Sequence, residues 1–224
     1  MSRRYRRAVL ACLFTAGIAV AATCAERLAR GEIVVTRLPA AHRGELGGRS
    51  QGVIAAPLDR VWAVLNRSGE FADYMPNFLA SWLVDRTAIG DIEPGRRWQR
   101  AELEEAVAEY RLADWPGDTV LFYNVLDMPF PVSDRWYLLE MTRDKAAYLI
   151  GWNQVIGNLK STAGSWQLAP RLDGRHTLAT YTTVSEPGIA LPGFVLDMGL
   201  TQSLPGVIKA LRKRVAQPGK QARE

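Results

Sequence analysis

The chain has 224 residues, of which 48% are hydrophobic and 23% are charged. This length and composition provide enough apolar side chains for one well-packed domain. The formal net charge is +5, but residues 1–25 hold four arginines and no acidic residue, so the remainder carries only +1. A nearly neutral domain has no general attraction for nucleic acids, and we therefore expect no nucleic-acid partner.

The first 25 residues have the pattern of an export signal. A basic start with four arginines precedes fifteen uncharged, mostly apolar residues (8–22), and the small residues Thr23 and Ala25 favour cleavage after Ala25. Fifteen residues are too few for a spanning helix, which needs about 20. We predict a signal peptide at 1–25 and a periplasmic or secreted protein. An uncleaved inner-membrane anchor and lipidation at Cys24 are the alternatives.

Cysteine and histidine are too sparse to indicate a metal site. Both cysteines, Cys12 and Cys24, lie in the signal segment, so the cleaved protein has neither a thiol nor a disulfide. His42 and His176 are isolated in the sequence. No phosphate-binding loop, dinucleotide fingerprint or nucleophile elbow occurs. We therefore expect no metal and no cofactor, and we assign no catalytic residue.

The rest of the chain contains one predicted domain with a segment on either side. We divide it into a lead-in segment (26–44), the domain (45–216) and a flexible tail (217–224). In the first part, apolar patterning predicts strands at Ile33–Leu38 and Gly52–Ala56. Pro57 then precedes a predicted helix at Leu58–Leu65, because proline suits the start of a helix. A second short helix is predicted at Phe71–Pro76.

From Phe78 onward, apolar and polar residues alternate between short turn motifs, which predicts a series of strands. The predicted strands are Phe78–Asp85, Arg97–Glu104, Ala106–Ala113, Thr119–Leu126, Arg135–Thr142, Ala147–Val155, Gly164–Ala169 and Thr177–Ser185. Their short connections imply one antiparallel sheet. Five apolar residues at helical spacing then predict a long amphipathic helix; they are Leu204, Val207, Ile208, Leu211 and Val215. A curved sheet that wraps around a helix leaves space for a cavity between them.

The segment Pro129–Tyr137 contains the residue that most strongly suggests a binding site. Its prolines restrict the backbone just before an apolar strand, and Arg135 stands at the start of that strand. An arginine in this position either extends to water or lies inside the protein against a negative group. The second arrangement would suit a ligand with an apolar body and an anionic head.

Several motifs in this order resemble the START (steroidogenic-acute-regulatory-related lipid-transfer) domain, within the wider SRPBCC group of helix-grip folds. The matching residues are Pro129, Phe130, Pro131, Ser133, Arg135 and Tyr137, then Gly164–Pro170, Thr180–Tyr181, Glu186–Pro192 and Leu204–Pro205. Ile54–Trp62 with Phe71–Pro76 is similar to the bacterial polyketide-cyclase and coenzyme-Q-binding branch. The resemblance covers roughly residues 45–215. It implies an α+β helix-grip (START/Bet v 1-like) fold, in which a curved antiparallel sheet wraps around the long C-terminal helix, with two short helices after the early strands.

The START resemblance implies that a lipid or another hydrophobic small molecule occupies an internal cavity. Arg135 matches the family arginine that can meet a lipid phosphate or carboxylate. The family has an aspartate directly after this arginine, where Trp136 stands here. The alternative for the arginine is an internal ion pair with one of three acids: Asp134, Glu140 or Glu186. Five aromatic residues are candidates for the cavity wall, with ordinary core packing as their alternative role: Tyr123, Trp136, Trp152, Trp166 and Tyr181.

The segment Glu186–Pro205 joins the last predicted strand to the final helix. Glycines and prolines interrupt it, and many of its other residues are apolar. We predict a gate over the cavity, whose apolar side chains are Leu191, Phe194 and Met198, in transient contact with a membrane surface. A kinked helix packed permanently against the sheet is the alternative.

These observations predict an exported, monomeric protein that binds or transfers one lipid or other hydrophobic small molecule. The first alternative is a cyclase or aromatase enzyme that uses the same cavity. Such an enzyme needs a positioned acid–base group, and its candidates are Tyr123, Tyr181, Asp134 and Glu186. The second alternative is a non-catalytic interaction module.

Overall fold

The computed structural model describes residues 23–42, 44–93, 95–171 and 173–217. The predicted signal peptide, except for its residues 23–25, and most of the predicted C-terminal tail lie outside the described residues. Residues 23–29 are helical. Among the helices of the described ranges, none has both the length and the apolar character needed to cross a bilayer.

A single antiparallel sheet contains the nine strands found in the described residues. The strands are β1 Val34–Leu38, β2 Leu46–Ile54, β3 Phe78–Val84, β4 Arg111–Leu112, β5 Thr119–Leu126, β6 Arg135–Asp144, β7 Leu149–Gly157, β8 Ser161–Pro170 and β9 Thr177–Glu186. Their order in the sheet is β1-β2-β9-β8-β7-β6-β5-β3-β4. Because β2 pairs with β9 along its whole length, the first part of the domain is joined directly to the last strand.

Four further α-helices accompany the sheet: α1 Leu58–Leu65, α2 Arg100–Ala106, α3 Gly193–Met198 and α4 Leu204–Ala216. Three short 3₁₀ helices lie at Ser68–Asp73, Arg86–Gly90 and Ala108–Tyr110, and one π-helical turn lies at Gly199–Ser203. α4 buries an apolar stripe that consists of Leu204, Ile208, Leu211 and Val215. The predicted architecture, a curved antiparallel sheet around a long C-terminal helix, is confirmed.

The central strands of the sheet are buried on both faces. On the concave face, Phe122 and Leu139 pack in one core cluster with Ile208 of α4. On the convex face, Tyr123 and Leu138 pack in a second cluster together with Leu103 of α2. Successive side chains of a strand point to opposite faces, so adjacent residues of β5 and β6 have different surroundings.

Two glycines of β2 allow α4 to lie close to the sheet. A Cβ atom added at Gly48 would lie 2.3 Å from a methyl carbon of Leu204, and one at Gly52 would lie 2.6 Å from Ile208. Both glycines therefore leave the space into which the buried stripe of the helix packs. This close approach fixes the position of α4 against β2, which forms part of the wall of the cavity described below.

Arg212 attaches the end of α4 to the backbone. Its Nε donates to the carbonyl oxygen of Val53 at 3.0 Å, and its Nη2 donates to that of Gly31 at 3.0 Å. Burial lowers the pKa of Arg212, but the two hydrogen bonds compensate the guanidinium for lost water.

We expect Arg212→Met to lower the free energy of unfolding by about 2 kcal/mol, because it removes two hydrogen bonds from a charged donor. Urea unfolding followed by circular dichroism measures the change. Lys209→Met, at an exposed position of the same helix, is the control and should change stability by less than about 0.5 kcal/mol. Equal effects of the two substitutions would contradict the proposed anchoring.

The structure corrects two predicted strands. Helix α2 replaces most of the predicted strand Arg97–Glu104, and only Arg111–Leu112 of the predicted strand Ala106–Ala113 pairs, as β4. The helix begins where the Glu102 carboxylate accepts the Gln99 N–H at 3.1 Å, one half of a capping box. Leu103 is fully buried in the convex cluster, so packing on the sheet supports the helix.

The other predicted elements occur with shifted ends. The predicted short helix Phe71–Pro76 is a 3₁₀ helix at Ser68–Asp73. The strand predicted at Gly52–Ala56 is β2, Leu46–Ile54. Its first half was missed because Gly48 and Gly52, which face α4, and Ser50 between them interrupt the apolar pattern. Helix α1 and strand β5 have the predicted ends.

Candidate ligand cavity

A cavity of about 280 Å³ lies between the sheet and the segment that contains α3, the π-helical turn and the start of α4. Its apolar lining comes from both sides: Leu46, Phe78, Leu126, Met128, Leu191, Val195, Leu196, Leu200, Leu204 and Val207. A mainly apolar wall with a few polar groups is the usual lining of a site for a small hydrophobic molecule.

Strand β9 supplies a row of hydroxyl groups to this wall. Tyr181, Thr183 and Ser185 alternate along the strand and all line the cavity. The Ser185 hydroxyl is 2.7 Å from the Thr162 hydroxyl. Burial raises the pKa of Tyr181 to about 12, although a hydrogen bond with Thr183 opposes the shift. The Tyr181 phenol is therefore neutral near pH 7 and can donate or accept a hydrogen bond.

Two tryptophans lie against the Tyr181 ring. The Trp152 ring stacks on it at a centroid distance of 5.5 Å, and the Trp166 ring lies at 4.8 Å. Both indoles are buried in the concave core and neither belongs to the cavity lining. We call Trp152, Trp166 and Tyr181 the aromatic plug, because they fill the concave side beyond the cavity.

Arg135 is buried on the concave face, and no hydrogen bond or salt bridge joins its side chain to another described residue. It lies opposite Leu126 of the cavity wall in the β5–β6 pairing, and its side chain shares a face with Tyr137. The residue is only 6% exposed. Its Nε and Nη2 have no hydrogen-bond partner in the described part of the protein, and burial lowers the pKa of the guanidinium.

The acids predicted as alternative partners of Arg135 are paired with other cations. Asp134 lies 3.7 Å from Arg100, Glu140 lies 2.9 Å from Arg86, and Glu186 lies 2.7 Å from Lys160. The salt bridges of the described residues thus include none to Arg135. A buried cation is costly unless it is paired or hydrogen-bonded, so this side chain is suited to an external anion.

Two further polar residues accompany Arg135 on the concave face. Asn124 is 2% exposed, lies opposite Tyr137 and has no partner for its Oδ1 among the described residues. Burial raises the pKa of Tyr137, and Tyr181 adds to the shift while a hydrogen bond with Asn124 opposes it. Buried polar atoms are normally hydrogen-bonded. Together with Arg135 these residues form a polar patch that adjoins the cavity at Leu126, although none of the three belongs to the cavity lining.

The structure separates the aromatic residues that the sequence grouped together. Tyr181 lines the cavity, and Trp152 and Trp166 lie behind it. Tyr123 and Trp136 lie in the convex cluster, on the other side of the sheet. The Tyr123 hydroxyl donates to the Glu104 carboxylate of α2 at 2.8 Å, so it helps to hold this helix on the sheet.

The predicted gate residues also separate. Leu191 lines the cavity, whereas Phe194 and Met198 do not. Phe194 points outward and is 51% exposed, and the inward contacts of α3 come from Val195 and Leu196. The π-helical turn that follows α3 is tethered to the start of β3 by a hydrogen bond of 3.3 Å from Asn77 Nδ2 to the Ser203 hydroxyl.

Four large exposed apolar residues lie in segments that line the cavity. Each is within two positions of a lining residue, and we call them the apolar rim: Leu79, Phe130, Ile189 and Phe194. Phe130 is 92% exposed, in the loop between β5 and β6. An exposed apolar group around a cavity mouth is typical of a contact surface.

Asn124, Thr183 and Ser185 were missed in the sequence analysis. Alternation along β9 from Tyr181 would have indicated the two hydroxyl residues, whereas Asn124 requires the register between β5 and β6. The described residues contain no group of three or more His, Cys, Asp or Glu side chains that could hold a metal ion.

Comparison with family models gives one match to residues 54–212, with the model described as polyketide cyclase/dehydrase and lipid transport. A curated relative from Pseudomonas aeruginosa, uncharacterized protein PA1579, is 31% identical over 130 residues. The aligned region spans 49% of this chain and 61% of that relative, so it covers about three fifths of the length of the curated relative.

Solved structures with a similar fold include two described as lipid-transfer proteins. A STAR-related lipid transfer protein (fragment 25–204) from Xanthomonas axonopodis has a TM-score of 0.57 and 19% identity, and the match covers 83% of this chain and 94% of that one. Human StAR-related lipid transfer protein 5 has a TM-score of 0.54 and 13% identity, with 83% and 82% covered. These similarities confirm the helix-grip fold.

Proposed function

Because this chain belongs to the polyketide cyclase/dehydrase and lipid transport family, whose members bind hydrophobic ligands, we propose that it binds one amphiphilic small molecule and transfers it between membrane surfaces. The polar patch beside the apolar cavity carries this proposal. Arg135 would meet an anionic or oxygen-rich head group, and the apolar wall under α3 and α4 would surround the hydrocarbon part.

Transfer is favoured over cyclase chemistry by the groups available in the cavity. An acid–base catalyst works best with a pKa near the operating pH. The pKa of Tyr181 is raised to about 12, and the acids Asp134 and Glu186 are engaged with cations outside the lining. These groups suit binding and hydrogen bonding better than proton transfer.

The apolar rim supports membrane contact. A bound hydrophobic molecule must leave the cavity into an apolar phase, and the rim exposes large apolar side chains beside the residues that line the cavity. The export signal expected at residues 1–25 would place the protein in the periplasm or outside the cell, where hydrophobic molecules need a carrier to cross water. A monomer is sufficient for this mechanism.

Native mass spectrometry tests binding and processing together. The full chain is produced in its native host, purified without detergent and measured both intact and after solvent extraction. We expect one extractable amphiphile per chain and a polypeptide mass that corresponds to cleavage after Ala25. The proposal fails if no ligand is recovered and no fatty acid or phospholipid is taken up from liposomes.

Transfer should depend on the apolar rim more strongly than binding does. We expect Phe130→Ser combined with Phe194→Ser to slow ligand transfer between vesicles by about tenfold or more. The reason is that burial of one such side chain in the bilayer contributes about 1.5–3 kcal/mol to membrane binding. The equilibrium affinity should be unchanged, since neither side chain lines the cavity. Trp98→Ser, on the convex side, is the control and should leave the transfer rate unchanged. A slower rate in both proteins, or in neither, would exclude the rim as the contact surface.

A further inference from the structure

The ligand class follows from the size of the cavity, given the proposed function. We propose that the site takes a single-chain amphiphile with an oxygen-bearing head, such as a fatty acid, and that the aromatic plug limits the length of the chain it can hold. At about 280 Å³, the cavity lies just below the roughly 300–1,000 Å³ of pockets for drug-sized ligands. A lipid with two long acyl chains is larger than such ligands, and a cavity of this volume is therefore too small to enclose it.

The aromatic plug closes the concave side in the direction of the core. Trp166 is 2% exposed and Trp152 is 8% exposed, and both contact the Tyr181 ring at the cavity wall. The same core cluster contains other large buried side chains such as Trp62 and Ile150. A chain that enters from the mouth therefore meets packed aromatic rings and cannot extend further between the sheet and α4.

Gly164 is the reason that the Trp152 ring can occupy this place. Trp152 and Gly164 are direct partners in the β7–β8 pairing. A Cβ atom added at Gly164 would lie only 2.4 Å from the Trp152 ring. The indole therefore lies over the glycine and reaches Tyr181 on the next strand, β9. A glycine that is covered by an aromatic ring from the neighbouring strand is a known way to stabilise a sheet, and here it also reduces the space for a ligand.

The polar groups near the cavity define the head group. Thr183 and Ser185 offer hydroxyl groups on one wall. Arg135 is not itself a lining residue, but it offers buried N–H donors on β6, opposite Leu126 of the wall. A carboxylate matches both the charge of Arg135 and the hydroxyl donors of Thr183 and Ser185. The linear chain would then lie along the apolar wall formed by α3 and the start of α4.

Binding of saturated fatty acids with 8 to 18 carbons tests the length limit. Each methylene that becomes buried should raise the affinity of the wild-type protein about fourfold, until the cavity is full and the affinity stops rising. Trp152→Leu removes the indole but keeps an apolar side chain, so the affinity should stop rising at a longer chain. A diacyl phosphatidylglycerol should bind the wild-type protein at least tenfold more weakly than the best fatty acid.

Trp82→Leu is the matched control, because Trp82 packs in the convex cluster and its replacement should leave the length limit unchanged. A cooperative thermal unfolding transition establishes that each variant is folded. If Trp152→Leu does not fold, Trp166→Leu replaces it in the experiment. The length limit is overturned if the affinity of the wild-type protein keeps rising up to 18 carbons. It is also overturned if the affinity stops rising at the same chain length in the wild-type protein and in the plug variants. The proposed function itself fails only if neither fatty acids nor the diacyl lipid bind at all.

Discussion

Replacing Arg135 with methionine is expected to stabilise the free protein and, at the same time, to weaken the binding of an anionic ligand. The guanidinium is buried on the concave face, and its Nε and Nη2 have no partner in the described residues. Removing an unpaired buried charge in favour of an apolar side chain of similar length relieves the cost of its lost hydration. The free energy of unfolding without ligand should rise by about 1–3 kcal/mol.

The effect on binding should have the opposite sign and a larger size. Truncation of one member of a buried, hydrogen-bonded charge pair costs roughly 2–5 kcal/mol, so affinity for a fatty acid should fall about a hundredfold. Isothermal titration with a fatty acid and urea unfolding without it measure the two effects. Opposite signs distinguish a binding residue from a structural one, for which both quantities would fall together.

Arg135→Lys and Arg86→Met serve as controls. The lysine keeps the positive charge and should retain part of the affinity, although it cannot form the paired hydrogen bonds of a guanidinium. Arg86 forms an exposed ion pair with Glu140, and its replacement should change stability by less than about 1 kcal/mol and leave binding unaltered. A loss of stability in Arg135→Met would indicate that the arginine has a structural partner, and the proposed anion site would be withdrawn.

Substitution of Gly164 by alanine is expected to have the largest effect on the folded domain. The added Cβ atom would lie 2.3 Å from the backbone oxygen of Thr182 and 2.4 Å from the Trp152 ring. The backbone contact is not relieved by a side-chain rotation, and the indole has to leave its place. We expect a destabilisation of about 3 kcal/mol and a fall in melting temperature of about 10 °C.

Gly151→Ala is the matched control, because this glycine lies on the neighbouring strand β7. The nearest atom to an added Cβ there is the Thr142 hydroxyl at 3.5 Å, an ordinary contact. Alanine at this position should be neutral or stabilise the protein by up to about 1 kcal/mol, since glycine loses more backbone entropy on folding. Differential scanning calorimetry of both variants provides the comparison. Similar melting temperatures would mean that the Trp152 ring is not held over Gly164.

Much of the fold could be predicted from local patterns. Pro57 and the apolar spacing after it define α1, and apolar runs between turn motifs define β5 through β9 to within a few residues. The failure at α2 has a physical reason: its seven residues are too few for a clear helical period, and its helical state depends on packing of Leu103 against the convex face. That contact depends on tertiary structure and leaves no local signal.

The candidate site was less accessible to prediction than the fold. Arg135 and Tyr181 stand out from their motifs, and the structure places both on the concave face. Tyr123 and Trp136 also stand among aromatic and apolar residues in the sequence, but they lie on the convex face. Because β5 and β6 are buried on both faces, their residues lack the alternation that would assign a side to each. The face of the sheet on which each side chain lies becomes known only when the pairing of neighbouring strands is known.

The π-helical turn between α3 and α4 divides the C-terminal segment into two parts of unequal stability. In α4, four apolar residues are buried, and glycines of β2 fit its stripe closely. In α3, only Val195 is buried. Because the cost of local opening increases with buried apolar contacts, the amides of α3 should exchange with deuterated water well before those of α4. The exchange rate of the ligand would then follow the opening of six residues, while the long helix and the rest of the domain stay folded.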